Sequence, residues 1–496
     1  MFKNIQKQLL LKYPLLWNTK FIPMLIIGVL LNLIYFFIGY ADGTLDFTKY
    51  YHSGLDFTFF SFSTLISLII LILWLVSYFK NNSFKRFYTK SKYALFFEWI
   101  QIVVIVLLLS MFYFPFEFGK QLHKRNYLSE EIAKERCDIL SSADFFIDGS
   151  FDEAEIDSVR SVLNDTNVNG EYKAVERIYL DHVNILGKKY SPTALINRNV
   201  AEFSFFTREQ DSVRGLKIRK FLATNNTIEV KKLMRNYFSI LKEHKLPTNL
   251  TEDKWFSITY NYPEFKKYEL INPKSPFTKD ESYAYYEPYT KHGYDYAAHD
   301  KTYSAYYIEH NVLKDNYRQI SGAYTSPFFE IEPILVLLYC VFGFSMLIFS
   351  FRVTSGRSWL IALVSYGVFN IVIGIISGVS REFLTYPILL IMSFLVVVGL
   401  FFSVVLAKKT KSKTMVLLNL IIWLFGGLIP TIYLTYMECY QNSISARLNY
   451  NYNLDPHYNF LNDNVTTMFG LNIILVIIGM FFMSKVIRSW KGVSEE

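Results

Sequence analysis

The chain has 496 residues, a formal charge of +8, 52% hydrophobic residues and 18% aromatics, with 45 Phe and 37 Tyr. Between Phe118 and Glu330 acids and bases nearly cancel, so the positive excess lies in the apolar flanks, where it reads as a membrane-topology signal rather than a nucleic-acid footprint. Three cysteines are too few for a disulfide framework.

Met1 to Trp17 reads as an interfacial helix, because Phe2, Ile5, Leu9, Tyr13 and Leu16 recur at spacings of three and four while Lys3 and Lys7 take the other face. Crossing a bilayer as helix takes about 20 apolar residues. Runs of that kind fall near 21–40, 57–79 and 95–114, then at 331–351, 358–378, 386–407, 414–436 and 467–486. The sequence thus predicts an α-helical polytopic membrane protein of eight transmembrane helices. A mainly helical extracytoplasmic domain is inserted between helices 3 and 4. The divisions are 1–117 (interfacial helix and three spans), 118–330 (the soluble domain) and 331–496 (five spans with short basic loops).

Connectors carrying Lys80, Lys85, Arg86, Lys90 and Lys92, Arg352 and Arg357, Lys408 to Lys413, and the tail Lys485, Arg488 and Lys491 hold the Lys/Arg excess. Cytoplasmic loops carry that excess, so both termini are expected inside and the central domain outside. Cys137 and Cys439 would then share the outer side, where they either pair or stay as separate thiols.

Within the domain, Ser129-Glu130-Glu131 and Thr251-Glu252-Asp253 carry helix-start chemistry. Thr227 to Lys245 places Ile228, Val230, Leu233, Tyr237, Ile240 and Leu241 near one helical face. The segment 282–310 crowds tyrosines, among them Tyr285 and Tyr286, with His292, His299 and His310. It reads as a metal site, as an aromatic surface against a partner or bilayer, or as ordinary domain surface.

No nucleotide-binding loop, HExxH, paired CxxC, GxSxG or GxGxxG motif occurs, so this chain carries no catalytic signature and calls for no cofactor. Asp152, Glu153 and Glu155 are the scattered carboxylates on which a membrane-embedded transferase would depend, and a solvated helix start also accounts for them. Glu98 stands at the inner mouth of the third span, Glu117 at its outer end, and Glu332 at the start of the fourth. Carboxylates and broken helices at mid-depth, which an ion-coupled carrier needs, are not evident. Gly374 and Gly378 suggest close helix packing, and Pro430 a kink in the seventh span.

Spans three to eight give one helix, a large outer domain and five more helices, with a long loop, Met437 to Val465, before the last. A basic, aromatic segment from Lys80 to Phe97 precedes them. This order resembles the membrane subunit of ABC-2-type bacterial exporters. Two features depart from that family: only Arg352 to Ser358 stands where an acidic coupling helix is usual, and two extra spans precede the core.

The resemblance implies a permease-like component in a bacterial inner membrane. A separate ATP-binding subunit would energise it in trans, and the chain would assemble as a homodimer or heteromer. From their positions, rather than from the resemblance, the candidate partner or gating contacts are Glu98, Glu117, Glu332, Arg352, Arg357, Pro430, Tyr285, Tyr286 and His299. The alternative is a membrane-anchored sensor or scaffold whose outer domain binds a ligand or envelope protein.

Overall fold

The computed structural model describes residues 12, 14–48, 56–80, 93–147, 183–185, 188–190, 202–259, 271–272, 306–380, 384–406, 411–448 and 455–490. Tyr285, Tyr286, His292, His299, Asp152, Glu153, Glu155 and the first 11 residues of the expected interfacial helix lie outside them. The chain divides into two compact units, one made of 1–38, 57–117 and 329–496, the other of 39–56 and 118–328.

The first unit is a set of apolar helices. It opens with α1 (Pro14–Asn18), α2 (Phe21–Asp42), α3 (Asp56–Lys80), α4 (Ala94–Ser110) and α5 (Tyr113–Tyr127), the ends of α2 and α5 running on into the second unit. The second block is α11 (Ile331–Val353), α12 (Gly356–Ser380), α13 (Thr385–Leu406), α14 (Lys411–Phe425), α15 (Leu428–Leu448), α16 (Pro456–Asp463) and α17 (Val465–Trp490). Among the described residues, 6 of these helices are long and apolar enough to cross a membrane, or up to 8 if each of two bent pairs is one span. This is a multi-pass membrane protein. The bent pairs are α4 with α5, at 47°, and α14 with α15, at 55°.

The second bend does not fall at Pro430. It comes earlier, at Gly426-Gly427, and Pro430 sits in the first turn of α15. There the ring's missing N–H costs no helical hydrogen bond.

The helices of this unit meet along a shared core. On α4, Leu95, Trp99, Ile102, Val106 and Leu109 recur at threes and fours and are all buried. They pack with Val341, Phe342, Met346 and Phe349 of α11 in one cluster. The Trp99 and Phe342 rings stack at 5.7 Å. Close approach of backbones occurs at Gly28, where a Cβ would come within 2.7 Å of Leu108. It does not occur at Gly374 or Gly378, where a Cβ would meet nothing within 4 Å. The outward face of α12 that they share carries Ile371 and Ile375, 64% and 61% exposed, as suits contact with lipid.

The second unit is a helical bundle of α6 (Glu130–Asp144), α7 (Arg208–Ala223), α8 (Thr227–Glu243), α9 (Glu252–Thr259) and α10 (His310–Thr325). A short antiparallel pair, β1 (Val183–Ile185) with β2 (Lys188–Tyr190), and a parallel pair, β3 (Ile271–Asn272) with β4 (Tyr306–Tyr307), complete it. Cys137 and Leu140 from α6, Met234, Tyr237 and Leu241 from α8, Trp255 from α9, and Val312 and Tyr317 from α10 share one core.

Of the expected core face of α8, Val230, Tyr237, Ile240 and Leu241 are buried and Leu233 is partly buried; Ile228 is the exception. Met234 and Phe238 are buried as well, while Ile228 is 77% exposed. At about 100° per residue, Ile228 lies two steps before Val230 and so on the far side of the helix.

The segment 39–56 contributes Phe47 to this core. The ring stacks on His244 at 3.8 Å, and the Asp46 carbonyl accepts a hydrogen bond from Asn316 Nδ2 at 3.3 Å. All three cysteines are free thiols.

Candidate functional site

Two of the charged residues singled out from sequence come together. Glu98, in the first turns of α4, and Arg352, one residue from the end of α11, form an ion pair of 3.0 Å between Oε1 and Nε. They are 4% and 5% exposed, and they are the only charged side chains buried in the first unit among the described residues. Separating charges from water is costly among apolar helices unless they are paired, so a buried carboxylate and guanidinium in such a place mark a candidate site.

The pair is held by the elements around it. Tyr78, near the end of α3, donates its hydroxyl to Glu98 Oε1 at 2.8 Å. Asn18 Nδ2, at the end of α1, reaches the same oxygen at 3.3 Å. The turn that follows α1 is fixed as well. Trp74 Nε1 donates to the Thr19 carbonyl at 2.8 Å, and the Thr19 hydroxyl donates to Gln101 Oε1 at 2.6 Å. Lys20 completes the turn with a φ of 53°, in the left-handed region that a lysine seldom adopts. Trp74 and Tyr78 stack at 5.4 Å. The sites at Asn18, Tyr78, Glu98 and Arg352 therefore lie at the one end where α1, α3 and α11 finish and α4 begins.

A second polar set continues from Arg352 along the end of α11. Thr354 donates to Asn419 Oδ1 of α14 at 3.2 Å, and Trp423 Nε1 donates to Ser350 Oγ at 3.0 Å. The connector to α12 is only Thr354-Ser355, and Ser355 Oγ accepts the backbone N–H of Ser358 at 3.1 Å.

The remaining singled-out residues are dispersed. Arg357 is exposed at the start of α12, Glu332 is exposed in the first turn of α11, and Glu117 is part-buried on α5. Pro430 is buried in α15. His310 is not a surface ligand: it opens α10 with its ring wholly buried. Its Nε2 meets Asp144 Oδ1 at 2.6 Å and its Nδ1 meets the Tyr237 hydroxyl at 3.0 Å. Lys314 Nζ reaches the same Asp144 oxygen at 3.2 Å. Burial pushes the Asp144 carboxyl up, but His310 and Lys314 outweigh it and hold the carboxyl below its ordinary value.

Beside this chain, Arg136 bridges Glu243 at 2.7 Å and the Tyr317 hydroxyl at 3.0 Å. His244 Nε2 meets the same hydroxyl at 3.0 Å. Burial, aided by the Arg136 charge, lowers His244 to about 4. No group of three His, Cys, Asp or Glu among the described residues is placed to hold a metal.

Comparison with protein-family models, curated proteins and solved structures gives no match. The reading of function therefore rests on the molecule's own geometry and topology.

Proposed function

We propose that this chain is the permease-like component of an export system energised by a separate ATP-hydrolysing subunit. The observation that carries the reading is the pairing of α4 with α11. These are the helices of the membrane unit between which the bundle of α6 to α10 is inserted in sequence. They pack side by side through a buried apolar seam and are pinned at one end by Glu98 and Arg352. A paired rod of this kind would carry a movement driven at one end along both helices together. Eight spans, both termini in the cytoplasm of a bacterial inner membrane and the inserted bundle outside it belong to the same proposal. The distribution of Lys and Arg supports that orientation.

The test is purification of the tagged full-length chain in a mild detergent. A co-purifying ATP-binding subunit, whose ATPase activity responds to the Glu98→Gln substitution, is the expected result. A solitary protein from its native host overturns the proposal.

One observation favours a second reading, a membrane-anchored sensor or scaffold. The inserted unit has a complete core of its own, with Trp255, Tyr237 and Tyr317 fully buried, as a ligand- or partner-binding domain would need. Recovery of an envelope protein in place of an ATPase would select that reading.

A further inference from the structure

A cavity of about 210 Å³ lies inside the membrane unit, beside the break between α14 and α15. It is larger than the apolar cavity of about 150 Å³ that is known to take benzene. Broken backbone among membrane helices is tolerated where it is covered by protein or lines a cavity, and broken helices are where membrane proteins form ligand sites.

The space exists because two lining positions have no side chain. A Cβ at Gly343 of α11 would meet nothing within 4 Å, and one at Gly426 would make ordinary contacts with Met346 Sδ at 3.5 Å and the Trp423 carbonyl at 3.7 Å. The walls are aromatic and adaptable. Trp423 and Tyr366 meet edge to face at 6.0 Å, and Phe342, Met346 and Val476 also line the space, which is partly open. A thioether adapts readily to an irregular guest.

No Asp, Glu, Lys, Arg or His lines the cavity, so a charged guest would find no counter-charge at membrane depth. Polar groups come from Tyr339 and Tyr366 and from Asn472 of α17, which is fully buried and lines the same space. Its Nδ2 is spent on the Tyr339 hydroxyl at 2.9 Å and the Gly426 carbonyl at 2.7 Å. Its Oδ1 has no hydrogen-bond partner. A buried acceptor without a donor is rare in a folded protein, and a bound donor satisfies it.

We infer that this cavity is a binding site for a neutral, largely apolar molecule that carries one hydrogen-bond donor, a hydroxyl or an amide N–H, directed at Asn472. The inference does not depend on the export reading, since a resident membrane lipid and a transported amphipath present the same chemistry.

The test is photolabelling of the full-length protein in detergent with a diazirine-bearing medium-chain alcohol and its methyl ether, with adducts mapped by mass spectrometry. The alcohol should label Phe342, Met346, Trp423 or Val476, and the ether should label them roughly tenfold less. Gly343→Phe should abolish cavity adducts, and Asn472→Leu should erase the preference for the alcohol. Lipid extraction of the purified protein separates the sources. A neutral lipid retained by the wild type and lost in Gly343→Phe supports a resident lipid, and labelling without such a lipid supports a transported guest. Equal labelling of the wild-type lining by alcohol and ether overturns the inference. So do adducts confined to the outward face of α12. The wild-type comparison needs no variant, so a failure of either substitution to fold leaves the question decidable.

Discussion

The two units bury charge in different ways. In the inserted bundle, charged groups come with more than one partner: Asp144 with His310 and Lys314, Arg136 with Glu243 and Tyr317, and Arg214 with Asp138 and Asp211. Several of these reach the surface, as Glu243 and Asp138 do at 52% and 55% side-chain exposure. In the membrane unit, among the described residues, the buried pair is Glu98 with Arg352, and Tyr78 and Asn18 donate to the same carboxylate oxygen. The bundle can lose a partner and turn to a neighbour or to water. The membrane pair lies among apolar helices, where an uncompensated charge is the more costly, so it should be the more sensitive to substitution.

The largest expected effect follows from that difference. Glu98→Leu leaves Arg352 buried without its counter-charge, and Arg352→Leu does the same to Glu98. Breaking a buried pair on one side costs about 3–5 kcal/mol. Thermal unfolding of the detergent-solubilised protein measures it, and a loss below about 1 kcal/mol would show that the site is wetter than its burial implies.

Phe47→Ala comes next. It removes a ring that stacks on His244 and Tyr127 and belongs to the core of the bundle. The expected loss is about 3–4 kcal/mol. The measurement is protease resistance of the inserted unit, with cleavage near 39–56 rising in the variant and unchanged cleavage speaking against the role.

Asp144→Asn should cost less, about 1.5–3 kcal/mol, because Lys314 can turn toward solvent when its carboxylate partner is removed. A further effect is one of pH. His244 is held neutral in the fold, at about 4 against an ordinary 6.5, while the unfolded chain takes up a proton near 6.5. Its contribution is therefore whole above pH 6.5 and falls away as pH drops toward 4. Stability of the inserted unit should decline over that window, and His244→Gln should flatten the decline. An unchanged slope would mean that another group carries it.

Legibility followed the length scale of the signal. The long apolar helices announce themselves because some 20 consecutive greasy residues have few other uses. The pairing of Glu98 with Arg352 was hidden, since 254 residues separate them and each looks like an ordinary helix-end charge. The membership of 39–56 in the bundle was hidden for the same reason: Phe47 finds His244 only in three dimensions.

The helix α7 was missed through a local effect. Its buried face includes Asp211 and Arg214 alongside Ile218 and Leu222, so an ion pair interrupts the apolar period. The signal that could have found it was the capping box, Thr207 to Gln210, in which side chain and backbone bond reciprocally. At Gly374 and Gly378 the motif was readable but its usual meaning did not hold, because no neighbour packs there.

The clamp between α4 and α11 is tested most directly by a double-mutant cycle on Glu98→Gln and Arg352→Gln, read as thermal stability of the full-length protein. The pair predicts strong coupling, at least about 2 kcal/mol, with the double variant recovering much of what either single variant loses. Additive losses would contradict it, and with it the view that these two helices act as one.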